Sequence, residues 1–359
     1  MKTCFAADCN RRAVPADLYS LSMRLKANLA SDAVLMLTTL IWGSTFVIAK
    51  DVLEHWPPVA YITVRFALAA LVLLALFPRR VAMAGLRQWR AGATLGLLMG
   101  GGFALQAIGQ VYTTPAKSAF ITGLTTPLVP FFALFILRVR PNLENMIGVT
   151  LASIGGLLIL VPHGEAGLNA GDILTLCATS LFATHITLLS VYAREHDARQ
   201  LTVLQIATAA ILFIAVWLML RAGAAFSAGN SLPDFFTHES VKLVWTARLV
   251  WQLVYLALIA TVVTFLLWTW GQARASATHA AVIFSLEPVF ATAFAVAVRG
   301  RGEWMDALGT FGAALILAGV IVSELRLTER QARQDEYSRE KEDRQCDEED
   351  RVRREDDPL

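Results

Sequence analysis

Ten apolar runs, each long enough to cross a bilayer, leave this chain few folds to choose from. They lie at about 31–50, 58–77, 91–111, 116–137, 144–162, 171–191, 201–220, 249–271, 277–298 and 304–324. A transmembrane helix needs about 17–25 such residues. The breaks between runs carry turn or charge signals, among them Pro57-Pro58, Pro78-Arg79-Arg80, Thr114-Pro115 and Arg138 to Pro141. In lipid only helices and closed barrels satisfy the backbone. Runs without period-two alternation favour helices, so an all-α integral membrane protein with ten transmembrane helices is expected.

Composition agrees. The chain is 56% hydrophobic and 17% charged, against roughly a quarter charged in a soluble domain. Its mean hydropathy is +0.53. The charges are segregated: nine basic and thirteen acidic residues fall between Leu325 and Leu359. That tail reads as a solvated cytoplasmic extension. A net charge of +2 with no basic face argues against nucleic acid as a partner. Cys4 and Cys9 read as incidental thiols, and Cys177 and Cys346 lie too far from them for a disulfide framework or zinc site. No cofactor is implied. Residues 1–30 lack the apolar core of a signal peptide; they read as a cytoplasmic N-terminal segment, with Met23 as an alternative start.

The runs repeat. Gly109-Gln110 matches Gly271-Gln272, and Ala119, Ile121 and Leu124 match Ala281, Ile283 and Leu286, all 162 residues on. Asp32, Trp42 and Arg65 match Asp172, Phe182 and Gln205 at an offset of 140. Residues 31–162 and 171–324 therefore read as two copies of one unit. Five spans per copy is an odd number, so the second copy enters from the opposite face. The expected architecture is two inverted five-helix repeats, as in many secondary transporters. With the N-terminus inside, inner flanks and short loops collect fourteen Lys and Arg and outer loops seven. The positive-inside rule then places both termini in the cytoplasm. Trp56, Trp89, Trp245, Trp251 and Trp304 fall near span ends, where interfacial anchors belong. Gly92, Gly96 and Gly100, and then Gly148, Ala152 and Gly156, stand at four-residue spacing, which lets helix backbones approach closely.

Few ionisable groups lie inside the spans. Glu287 lies ten residues into its span and Arg65 seven into its own, roughly 15 and 10 Å deep. A charge near the bilayer centre costs about 2.5–3.5 kcal/mol on insertion scales, so both should face the bundle interior as functional candidates. For Arg65 the alternative is snorkelling to the interface; for Glu287 it is a protonated carboxyl bonded to a neighbouring helix. The functional reading of Glu287 is a proton-coupling or substrate-facing group. His185 is a second-tier candidate beside Lys117 and His279, placed near the outer and inner surfaces respectively. Gln106, Gln110, Gln205 and Gln272 could line a polar cavity or bond helix to helix. Trp42, Trp268 and Trp270 could receive an aromatic or cationic solute.

Leu40-Ile-Trp-Gly-Ser-Thr-Phe46, Arg65-Phe66, Gly123-Leu-Thr-Thr-Pro127 with Val129-Pro130, Leu286-Glu287-Pro288 and the stretch Gly309 to Gly319 resemble the EamA-type domain of the drug/metabolite transporter superfamily. The likeness covers residues 31–324. It implies an inner-membrane, multi-pass carrier with a central cavity that moves small metabolites or drugs, usually outward. The expected function is export by alternating access, with a small-molecule solute, the lipid bilayer and a proton as coupling ion for partners; the oligomeric state stays open. An uptake permease or exchanger of the same fold is the alternative. No Gly-x4-Gly-Lys-Ser/Thr loop occurs, so this chain holds no such ATP site. No His-Glu-x-x-His or Gly-x-Ser-x-Gly occurs either, which disfavours a membrane-embedded enzyme. A sensor with the tail as output is a third reading.

Overall fold

A computed structural model describes residues 16–113, 115–160, 169–226, 243–299 and 307–322. Cys4, Cys9, Cys346, Trp304, the Lys117 side chain, the tail from Leu325 and most of the 221–248 loop lie outside the described residues. The described chain is helical, with no strand in it. Seven helical stretches are long and apolar enough to cross a membrane: Leu29–Leu53, Pro58–Leu76, Leu86–Tyr112, Ala170–Glu195, Ala198–Gly223, Ala247–Gln272 and Ala277–Val298. Three shorter apolar helices join them, Ile121–Leu137, Leu143–Leu158 and Ala307–Val322.

The elements in order are α1 (Ala16–Leu53), α2 (Pro58–Leu76), a short α3 (Pro78–Ala82), α4 (Leu86–Tyr112), α5 (Pro115–Gly123), α6 (Thr125–Leu137), α7 (Leu143–Leu160), α8 (Ala170–Glu195) and α9 (Ala198–Phe226). Then come α10 (Ala247–Ala257), a π-helical segment (Leu258–Val263), α11 (Thr264–Gln272), α12 (Ala277–Phe284) and α13 (Glu287–Arg299). The last is α14 (Ala307–Val322). Helix starts follow local chemistry. Pro58 opens α2, where a missing N–H does no harm. Asn169 and Asp172 bond each other's backbone as a capping box on α8.

Three spans expected to be simple depart from that. The 116–137 run breaks at Leu124 into α5 and α6, because Pro127 has no N–H to offer the carbonyl of Gly123. The 277–298 run breaks likewise at Ser285 and Leu286, ahead of Pro288. The 249–271 run passes through the π-helical segment, whose Thr261 hydroxyl bonds the carbonyl of Leu256 five residues back. The first helix also begins earlier than its apolar run, at Ala16.

Packing is dense inside and apolar outside, as a lipid solvent demands. Phe66, Leu73, Leu95, Phe213 and Phe265 are buried, while Leu71, Phe135, Ile211, Met219 and Trp251 are largely exposed. Trp89 and Trp245 are exposed as interfacial residues should be, but Trp56 is buried. Its indole donates to the carbonyl of Val244 at 2.7 Å and meets Trp245 edge-on, so it ties the approach to α10 onto the turn between α1 and α2. The spaced glycines work as expected: a Cβ on Gly96 would strike the carbonyl of Gln205 and the Thr208 side chain of α9.

Contacts recur between the two halves. Gly109 of α4 lies against Gly171 and Thr175 of α8; Gly271 of α11 lies against Ser31 and Leu35 of α1. Gly155 of α7 lies against Gly312 and Ile316 of α14, and Gly319 lies against Gly148 and Ala152. The ring pair Phe103–Phe182 is matched by Phe265–Trp42. Each set maps onto its partner at an offset of 140, 162 or 164.

Candidate functional site

Helices α1, α2, α4, α5, α6, α8, α11, α12 and α13 all send residues to one central cavity, with an empty volume of about 700 Å³ including its mouth. Five of the residues singled out from sequence meet here: Trp42, Arg65, Gln106, Trp268 and Glu287. The walls are mostly aromatic. Trp42 and Trp268 meet edge-on with centroids 4.9 Å apart, and both pack on Phe284 at 5.6 Å. Phe103 and Phe182 form a second edge-on pair. Such arrangements keep ring edges against ring faces and hold the wall in shape.

Arg65 is buried rather than snorkelling, with 3% of its surface exposed. Its Nε donates to the Thr261 hydroxyl at 2.9 Å, Nη1 to the Tyr61 hydroxyl at 3.0 Å and Nη2 to the carbonyl of Ala260 at 3.1 Å. Two of these acceptors belong to the π-helical segment, where a widened turn frees groups that an α-helix would keep for itself. The guanidinium also lies 5.2 Å from the Phe103 ring centroid and 5.6 Å from that of Phe66. All these partners are neutral. Among the described residues no carboxylate forms an ion pair with Arg65. A guanidinium has five N–H donors, of which these bonds use three.

Glu287 is half-buried at the start of α13, just past the Ser285–Leu286 break, and faces the same cavity. Its position in the first turn places a carboxylate where the helix dipole favours it. Among the described residues its carboxyl has no hydrogen-bond or ion-pair partner. The cavity thus presents one basic and one acidic group, unpaired with each other. Gln106 adds an amide, held by its donation to the Thr122 hydroxyl at 2.9 Å. The Trp42 indole N–H is buried without a partner.

The remaining sequence candidates lie elsewhere. Gln110 lines a smaller hollow, about 330 Å³ including its open mouth, that also reaches Arg65 and Gln106. His185, Gln205 and Gln272 are fully buried and do not line the cavity. His185 Nε2 and Gln205 Oε1 are 2.9 Å apart, and the Gln205 amide donates to the Thr269 hydroxyl. The Trp268 indole donates to Gln272 at 2.8 Å while its ring packs on His185. These groups back the cavity wall. Trp270 lies away from it, under the guanidinium of Arg274 at 3.9 Å. His279 pairs with Asp32 at 3.0 Å. Among the described residues no cluster could hold a metal.

Sequence reasoning missed Tyr61, Thr261 and the carbonyl of Ala260. Tyr61 was legible, since it precedes Arg65 by four residues on one helix face. Thr261 was a hydroxyl inside an apolar run, a weak signal. The freed carbonyl had none.

Comparison with known proteins places this geometry. The EamA-like transporter family matches residues 29–161 and 169–325. An uncharacterised transporter of Archaeoglobus fulgidus is 31% identical over 301 residues, covering 83% of this chain and 87% of that protein. A Salmonella typhimurium protein named "Probable amino-acid metabolite efflux pump" is 27% identical over 308 residues, covering 80% and 92%. A crystal structure with 19% identity superposes with a TM-score of 0.61 over 82% of this chain and 97% of its own, a likeness of fold. A helical bundle with apolar flanks, a buried central cavity and a match across both halves makes this chain a member of the EamA-like transporter family, a membrane transporter of the drug/metabolite type.

Proposed function

We propose that the chain is a secondary carrier that exports small zwitterionic solutes of the amino-acid type by alternating access between two inverted five-helix repeats. The observation that carries this reading is the unpaired presence of Arg65 and Glu287 in one aromatic-walled cavity. A solute with a carboxylate and an ammonium satisfies both groups; a solute with one charge leaves the other buried and unmatched, which costs more than the lost contact alone. The aromatic walls suit an apolar or aromatic side chain. The relatives named as amino-acid metabolite efflux pumps support the substrate class and the outward direction. The recurrence of packing contacts at fixed offsets supports two related halves, and such halves rocking about a midplane site are the general route to alternating access.

Glu287 holds either a proton or the solute's ammonium, and that competition is how a proton gradient would drive the exchange. The excess of Lys and Arg on the expected inner loops supports cytoplasmic termini and an inner-membrane location.

The test is flux in proteoliposomes preloaded with labelled phenylalanine, phenethylamine or phenylpropionate. Phenylalanine should leave about 10–100 times faster than either singly charged analogue, the worth of one charge-assisted hydrogen bond. Equal rates for all three would overturn the zwitterion reading, and no flux of any of them would overturn transport of this class.

A further inference from the structure

A second cation stands at the small hollow beside Arg65. The hollow is lined by Thr45, Ala49, Tyr61, Arg65, Gln106 and Gln110 among others, from α1, α2 and α4, and no carboxylate is among the described residues that line it. It lies toward the end of the bundle where α1 stops, α2 starts and α4 stops. Arg65 comes seven residues after Pro58, the start of α2, whereas Gln110 comes two before Tyr112, the end of α4. The Lys50 ammonium donates to the Gln110 carbonyl at 2.9 Å. Lys50 thus sits at the shallow end of the hollow and Arg65 at its deep end.

Neighbouring side chains of α1 part company here. Asp51 turns to α10, where it accepts from Gln252 and pairs with Arg248 at 2.9 Å. Lys50 turns to α4 and a neutral carbonyl. Among the described residues no carboxylate forms an ion pair with it. An ammonium has three N–H donors, of which this bond uses one. Lys50 is also half-buried, and a partly desolvated charge without a counter-charge is held at a cost. The plainest role for it is to cap the last turn of α4, where a cation is favoured. Capping does not demand a lysine, however. Ser190 stands at the matching place 140 residues on, and its hydroxyl bonds Thr187 of its own helix. Gln205 likewise matches Arg65. Both cations therefore belong to one half alone and flank one hollow without an acid, an arrangement whose field gathers anions.

We propose that Lys50 is a second carboxylate subsite, at the Gln110 end of the hollow, which takes the solute's carboxylate when Arg65 releases it. This rests on the reading of the chain as a carrier of amino-acid-type solutes and adds a binding site to it. The ammonium donates to a carboxylate oxygen while keeping its bond to the Gln110 carbonyl. The ligand class is an organic carboxylate; a solute with an ammonium alone finds only like charge here.

Lysine acetylation reads occupancy of the subsite without any need for transport. The full chain in detergent is treated with a water-soluble acetylating reagent, and modification of each lysine is followed by mass spectrometry. Phenylpropionate should slow acetylation of Lys50 saturably, about tenfold once it is in about tenfold excess over its dissociation constant, and leave the other lysines unaffected. Phenethylamine, which lacks the carboxylate, should give no protection. Protection by phenylpropionate should persist in Arg65→Leu, because the two subsites are separate.

Should Arg65→Leu fail to fold, phenylalanine flux in proteoliposomes gives a second measure. Lys50→Gln can still donate to the Gln110 carbonyl but carries no charge. It should raise the half-saturating phenylalanine concentration about tenfold, as for one charge-assisted bond. Salt at about 0.5 M should shrink that gap, since screening acts on charge, and Lys50→Arg should restore the parent value. Lys50 beyond reach of the reagent, protection of every lysine alike, equal protection by phenethylamine, loss of protection in Arg65→Leu, or a Lys50→Gln chain that transports like its parent would overturn the subsite. Protection without flux in the unmodified chain removes the carrier reading and leaves the subsite standing; flux without protection does the reverse.

Discussion

Arg65 on α2 and Gln205 on α9 occupy matching places 140 residues apart, with opposite surroundings. Arg65 borders two hollows and spreads its charge over two hydroxyls, one carbonyl and two rings. Gln205 is sealed between His185 and Thr269 and touches neither hollow. The contacts that set the helices beside each other recur in both halves, so the contrast lies in the side chains. Similar helix contacts thus frame a cavity-lining arginine in one half and a sealed glutamine in the other.

The comparison can be broken at either end. Replacing Arg65→Leu removes the charge and should lower phenylalanine flux about 10–100-fold, the worth of a charge-assisted bond in a buried site. Gln205→Leu, at a residue that does not line the cavity, should lower it far less; equal losses in the flux assay would mean that the two places are not functionally distinct. Glu287 offers the next contrast, because Thr125 stands at its matching position. Glu287→Gln should abolish accumulation driven by a pH gradient and leave exchange down a solute gradient within about tenfold of the parent, a loss of the size of one charged contact. Accumulation that survives the substitution would remove the proton from the mechanism. The smallest effect is expected at Thr261, whose matching residue is Met99. Thr261→Val deletes the acceptor for Arg65 Nε and should raise the half-saturating concentration about five-fold, as for one neutral partner of roughly 1 kcal/mol. An unchanged value would show that Arg65 needs no help from the π-helical segment.

Much of this was written plainly in the chain. The length of the apolar runs announced a helical membrane protein, since lipid leaves the backbone no other way to pair. The depth of Arg65 and Glu287 marked them as cavity residues, because a charge that far from water must face protein. The echo at Gly109 and Gly271 named two of the glycines whose contacts recur between the halves. Other features left no trace. The π-helical segment reads as one more stretch of apolar run, because its signature is a backbone register. The pairing of His185 with Gln205 joins two helices whose faces no local pattern relates. Trp56 looked like an interfacial anchor by its place at a span end; only the approach of the 243–246 segment buries it. The break at Leu124 was within reach, since Pro127 follows it by three residues and cannot bond the carbonyl of Gly123.

The π-helical segment has a mechanical consequence. It accommodates one residue more than an α-helix would over the same rise, and each residue of an α-helix turns the chain by about 100°. Expelling that residue into a neighbouring turn would crank everything beyond Val263 around its axis by about that angle. Phe265, Trp268 and Gln272 all lie beyond it. One helix would then carry the cavity's Trp268 and its hydrogen-bond partner Gln272 together.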